Sequence, residues 1–150
     1  MKIYLAGKMG GLTKEEMNGW RFLAQDYLNI CSPFKSNDVC INPVSFYNSD
    51  NYIELKATGR EIMDFDLTAI KNCDLLLVNL NHTDSMGTAI EMFYAHDILK
   101  MPVISFAYTD NFEKSYVWVK ECSTKNFSGE ENNLEEALEY INKFYRPIFG

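Results

Sequence analysis

Two acids and one tyrosine have the types and the placement to do chemistry. Glu91 follows the small run Gly87, Thr88, Ala89 in DSMGTAIEM and is flanked by Ile90, Met92 and Phe93. Small residues let a ligand approach the backbone, and a helix N-terminus favours a charged carboxylate. An acid in a first helical turn also commonly does no more than face water, so position has to decide. Asp66 lies between Phe65 and Leu67, ahead of the run DLLLVNL, while Asp64 on the same segment reads as solvent-facing. Two carboxylates from adjacent elements suit glycoside cleavage: one attacks the sugar carbon, the other handles protons or orients the substrate. Tyr4 precedes Gly7 by three residues. It is either a core tyrosine or a hydroxyl that touches the attacking carboxylate.

Other residues offer binding rather than bond-breaking. Gly7, Lys8 and Gly10 in GKMGG, and Ser85 in the later turn, supply N–H, ammonium and Oγ groups for a hydroxyl or a phosphate. The glycine pattern is neither G-x-G-x-x-G nor a Walker loop. His82 and His96 are isolated, and Ser85 has no base partner in sequence. Cys31, Cys40, Cys73 and Cys122 form no C-x-x-C, so no zinc pattern follows, and Cys40 and Cys73 read as core thiols. No metal or cofactor is expected.

The elements that must position these groups follow from the hydrophobic pattern. Ile3–Ala6, residues 39–41, DLLLVNL at 74–80, PVISF at 102–106 and TKNFS near 124–128 read as strands. Residues 14–28, 59–71, 87–99 and a C-terminal stretch ending before Pro147 read as helices, with SYVWVKEC a short one. Thr13 with Glu16, and Asn133 with Glu136, look like capping signals. Residues 44–57 show no period and form a long connection, of the kind that is often functional. Tyr47, Tyr52, Phe46 and Trp20 are core aromatics or, on that connection, stacking surfaces for a base.

Strands alternating with helices predict an α/β fold: a single doubly wound, flavodoxin/Rossmann-like domain over 1–150 with a five-stranded parallel sheet, order 2-1-3-4-5. Ligands bind such sheets beyond the strand carboxyl ends at the switch point. The turns GKMGG and NHTDSMGTAIE then converge on one crevice, with Glu91 in it.

The totals set the bounds. The chain has 150 residues, 47% hydrophobic and 23% charged, with a net charge of −7. That acidity argues against coating a nucleic acid polymer, though a small phosphorylated ligand needs only local donors. MKIYLAG is too short and too soon polar for a signal peptide, and no apolar run is long enough to span a membrane. The expectation is a reduced cytoplasmic protein.

The motifs together carry a resemblance. KIYLAG, DFDLTAIKNCDLLLVNL, SMGTAIEMFYAH, MPVISF and NLEEALEYI, and above all G-T-A-x-E with D-L-x-x-I-x-x-C-D, resemble the nucleoside 2-deoxyribosyltransferase superfamily, including its deoxynucleoside monophosphate N-hydrolase branch. The resemblance implies that Glu91 attacks the anomeric carbon, that Asp66 contacts the base or leaving group, and that Tyr4 supports the nucleophile. It implies substrate contacts from Gly7, Lys8, Gly10, Ser85, Gly87 and Thr88. Ser85 stands where the monophosphate hydrolases have serine and the nucleoside transferases aspartate, although Asp84 is adjacent. Lys8 stands where the hydrolase branch has serine. Asn126 loosely matches an asparagine that transferases donate from a neighbouring subunit, which implies a homodimer or larger assembly.

The expected activity is cleavage of the N-glycosidic bond of 2′-deoxynucleosides or their 5′-monophosphates through a glycosyl-Glu91 intermediate. A second base (transfer) or water (hydrolysis) resolves it. The alternatives are a non-catalytic nucleotide-binding or sensing module and an N-glycosidase for a dinucleotide or modified nucleotide. A flavodoxin-type electron carrier lacks its phosphate loop here.

Overall fold

The computed structural model describes residues 1–31, 39–47 and 56–149. Tyr52 and most of the 44–57 connection lie outside the described residues. Five parallel strands form one sheet in the order β2-β1-β3-β4-β5. They are β1 (Lys2–Ala6), β2 (Val39–Ile41), β3 (Leu75–Asn79), β4 (Val103–Tyr108) and β5 (Lys125–Gly129). This is the expected α/β sheet and strand order.

β3 is central, and Leu75, Leu76, Leu77 and Val78 are fully buried because both sheet faces are covered. One face, with Ile3, Leu5, Leu75, Leu77, Ile104 and Phe106, packs against α1 (Lys14–Cys31) and α6 (Asn133–Tyr140). The other, with Tyr4, Ala6, Leu76, Val78 and Val103, packs against α2 (Gly59–Lys71) and α3 (Met86–Phe93). Two further short helices, α4 (Thr109–Lys114) and α5 (Val117–Glu121), join β4 to β5. Among the described residues, no helix is long and apolar enough to cross a membrane.

The expected capping box of α1 is present: Thr13 N donates to Glu16 Oε2 at 3.0 Å and Glu16 N to Thr13 Oγ1 at 3.2 Å. α2 has a second box, from Thr58 and Glu61, that fixes the helix carrying Asp66. Asn133 is not a cap. It is the first residue of α6, after Asn132, which sits at φ 56 in the left-handed region that asparagine tolerates. Two helices differ from their expected form. The one over 87–99 becomes a π turn at Tyr94–Ile98. The C-terminal one passes through a π turn at Ile141–Tyr145 into α7 (Arg146–Phe149), so it does not stop before Pro147. A wider turn ahead of a proline relieves the clash of its ring with the carbonyl four residues back.

Candidate active site

Three elements bring the expected acids together. Tyr4 points from β1 to the face covered by α2 and α3. Asp66 on α2 and Glu91 on α3 line one pocket of about 230 Å³ with Gly59, Ile62, Met63, Leu67, Gly87 and Ile90. Asp64, by contrast, is exposed and pairs with Arg60 on its own helix.

Glu91 lies beyond the first turn of α3, and burial dominates its chemistry. Burial, and then the charge of Asp66, push its carboxyl up to about 8, while Tyr4 and Arg21 pull the other way. The expected help from the helix terminus is therefore overruled, because desolvation outweighs a dipole that fades within the first turn. Asp66 is raised too, by burial, against the opposing hydrogen-bonding influence of Tyr47 and Tyr4. The Tyr4 hydroxyl is raised by burial and then by Glu91, and it stays a phenol. Among the described residues, neither Tyr4 Oη nor Glu91 Oε2 makes a well-formed hydrogen bond, although both atoms are buried and the Tyr4 hydroxyl stands near enough to both carboxyls to favour their ionised forms. Poorly satisfied polar atoms in an apolar site are costly, and a ligand can supply a better partner.

Two residues whose part in the site the sequence did not reveal hold this centre. Arg21 on α1 is fully buried. Its Nε donates to Leu5 O at 3.1 Å, Nη2 to Gly7 O at 3.0 Å, and Nη1 to Met17 O. It caps the carboxyl end of β1 and favours the ionised form of Glu91. Burial lowers its pKa to about 10, so it remains a cation. Gly7 leaves room there: a Cβ would stand 3.2 Å from Trp20 Cζ2 and 3.4 Å from Arg21 Nη2, so those side chains would have to give by a few tenths of an ångström. Trp20 is itself core, edge-on to Phe106. The second is Tyr47, whose Oη donates to Asp66 Oδ1 at 2.7 Å.

The expected binding residues divide. Lys8 Nζ meets Asp84 Oδ2 at 2.7 Å, joining the two turns at the mouth of the crevice. Ser85 caps α3: Thr88 N donates to its Oγ at 3.3 Å, and the two hydroxyls lie 2.8 Å apart. Ser85 and Thr88 line a neighbouring pocket of about 160 Å³ with His82, Asp84, Met86 and Tyr116. Gly10 is exposed in its turn. Asn126 is not brought to either pocket. Its Nδ2 donates to Ser105 Oγ at 2.8 Å and its Oδ1 accepts from Ser128 Oγ, on the edge strand β5. No group of three or more His, Cys, Asp or Glu among the described residues is placed to hold a metal ion.

Comparison with known proteins agrees with this architecture. Residues 1–105 match the family described as Domain of unknown function (DUF4406). No curated protein matches the chain significantly. A conserved protein from Enterococcus faecalis V583 superposes with TM-score 0.65 at 20% identity, over 92% of this chain and 97% of that one. The 2-deoxyribosyltransferase of Bacillus psychrosaccharolyticus gives 0.64 at 20% identity, over 97% and 95%. The CMP N-glycosidase BcmB of Clostridium botulinum gives 0.53 at 18% identity, over 95% and 98%. At these identities what is shared is the fold.

Proposed function

Because this chain belongs to the DUF4406 family, whose description assigns no reaction, its chemistry must come from its own pocket, and we propose an N-glycosidic bond-cleaving enzyme. The substrate class is 2′-deoxynucleosides or their 5′-monophosphates. The observation that carries the reading is Glu91 Oε2, buried and without a well-formed hydrogen bond, in one pocket with Asp66 and against Tyr4. Support comes from the fold shared with a 2-deoxyribosyltransferase and a CMP N-glycosidase.

The proton count follows from the electrostatics. At neutral pH the acid pair holds one proton, mainly on Glu91. As the C1′–N bond breaks, that proton passes by way of Asp66 to the departing base, and the freed Glu91 carboxylate forms the C1′–O ester. Water or a second base then attacks C1′. The ester bond breaks, and the proton the acceptor gives up returns to the pair. Tyr4, held as a phenol, stabilises the Glu91 carboxylate as its proton leaves. The active free enzyme is therefore the singly protonated pair. We expect kcat/KM to be bell-shaped in pH, with the alkaline limb near the Glu91 value of about 8. An activity that keeps rising above that pH would remove Glu91 as the proton's store.

The choice between nucleoside and monophosphate centres on Lys8, whose ammonium is already engaged by Asp84. Asp84→Asn releases that ammonium and removes a charge that repels phosphate. The expected result is a several-fold rise in kcat/KM for 5′-monophosphates with no change for nucleosides. Equal effects on both would show that the phosphate does not sit there. The primary test is chromatography of products from a panel of deoxynucleosides and their monophosphates, with and without a free acceptor base. Free base from the panel supports the reading, and exchange with the added base marks transfer. Substrates recovered intact but tightly bound would instead favour a binding module.

A further inference from the structure

We propose that Tyr47 is a positioning residue that gives the two oxygens of Asp66 different tasks, Oδ1 tied to the phenol and Oδ2 left to meet the departing base. The inference rests on the reading of Asp66 given above, but the bond on which it stands does not. Tyr47 is placed by a stiff local device. Asn42 follows β2, its Oδ1 accepts from Val44 N at 3.0 Å, and its carbonyl accepts from Ser45 N at 3.1 Å and Ser45 Oγ at 2.7 Å. Its amide also donates to Asn18 Oδ1 at 3.2 Å, which anchors the turn to α1. Pro43, buried, opens the single 3-10 turn at Pro43–Ser45 that aims Tyr47 at α2.

The Tyr47 hydroxyl has one proton to give. It lies 2.7 Å from Asp66 Oδ1 and 3.4 Å from Ile62 O, so the charged acceptor takes the proton and the carbonyl makes at most a weak contact. A carboxylate fixed through one oxygen cannot turn freely about its terminal torsion. Its other oxygen is then presented in one direction, and any proton Asp66 receives sits on Oδ2. That is what a group relaying a proton to a ring nitrogen needs: one orientation and one protonation site. Burial raises Asp66 while the phenol opposes the rise. Tyr47, and after it Tyr4, therefore favour the ionised form of Asp66 and so a proton on Glu91.

The test is Tyr47→Phe, which keeps the ring and removes the hydroxyl. Loss of a hydrogen bond to a charged group predicts a fall in kcat of roughly tenfold to a hundredfold, with KM changed far less. The acidic limb of the kcat/KM profile should move to higher pH, because Asp66 loses the donor that favours its ionised form. A purely structural role would lower the melting temperature and leave that limb in place, and this result would overturn the proposal. Carbon-13 titration of the labelled Asp66 carboxyl reads the same shift without turnover. If the native protein cleaves nothing in the substrate panel, the enzymatic reading fails. An Asp66 titration that still moves upward in Tyr47→Phe keeps the Tyr47 assignment, and one that does not move ends it.

Discussion

Glu91→Gln will lose cleavage by at least about a thousandfold and, at alkaline pH, will be more stable than the native chain. The first effect follows from removing the attacking oxygen while keeping the side chain's shape. The second follows from proton linkage. The folded protein holds the Glu91 proton up to about pH 8, whereas a free glutamate releases it near 4.5. Below the lower value both states are protonated and the group contributes no penalty. Between the two values the unfolded chain gives up its proton while the folded chain keeps it, so stability falls as pH rises. Above about 8 the full cost of ionising a buried carboxyl is present. Glutamine never ionises, so its advantage grows through that window to on the order of 5 kcal/mol. Thermal melts of both proteins at pH 4 and pH 9 measure it, together with a product assay. Equal melting differences at the two pH values would contradict the buried, proton-holding Glu91. Full activity in the variant would sink its role as nucleophile.

Arg21→Met should destabilise the protein by roughly 3 kcal/mol or more. The methionine fills the volume but leaves Leu5 O and Gly7 O, both at the end of β1, without their donor. It also removes the cation that favours an ionised Glu91, so the alkaline limb of the activity profile should move above its native position. Arg21→Lys should not restore stability, since a single ammonium cannot span the carbonyls that the guanidinium fork reaches. Urea unfolding gives the stability, and a pH-rate profile of whatever variant folds gives the shift. A stable methionine variant with an unmoved limb would show that Arg21 is incidental to the site.

The sheet was legible because a strand buried on both faces has to read as an unbroken apolar run, and Leu75 to Val78 do. That Tyr4, Asp66 and Glu91 converge was legible because the elements that carry them, β1, α2 and α3, all flank that strand. Arg21 was not legible, since an arginine in an amphipathic helix ordinarily marks the wet face. Its place was nevertheless written in the pattern: it shares the stripe of Met17, Trp20, Ala24 and Leu28, four residues after the first of them. Tyr47 was seen as an aromatic on a long connection, but its target depended on a turn whose aim only the folded backbone fixes. The ionisation of Glu91 was misjudged because sequence reveals the nearness of a helix start and conceals how dry the side chain will be. The cap at Asn133 was misplaced by one residue because Asn132 takes a left-handed conformation that no spacing rule announces.

The hydroxyl pair at the start of α3 behaves as a rotor with two settings. Ser85 Oγ and Thr88 Oγ1 share one proton-bearing line, and either can donate. If Thr88 donates, Ser85 accepts twice, from that hydroxyl and from Thr88 N, and its own proton turns outward. If Ser85 donates, it has no hydrogen left to offer a visitor, but it keeps a lone pair. The same two side chains thus present a donor to an oxyanion or an acceptor to a sugar hydroxyl, with the helix cap intact in both settings. The change requires no backbone movement and takes place on the timescale of a bond rotation.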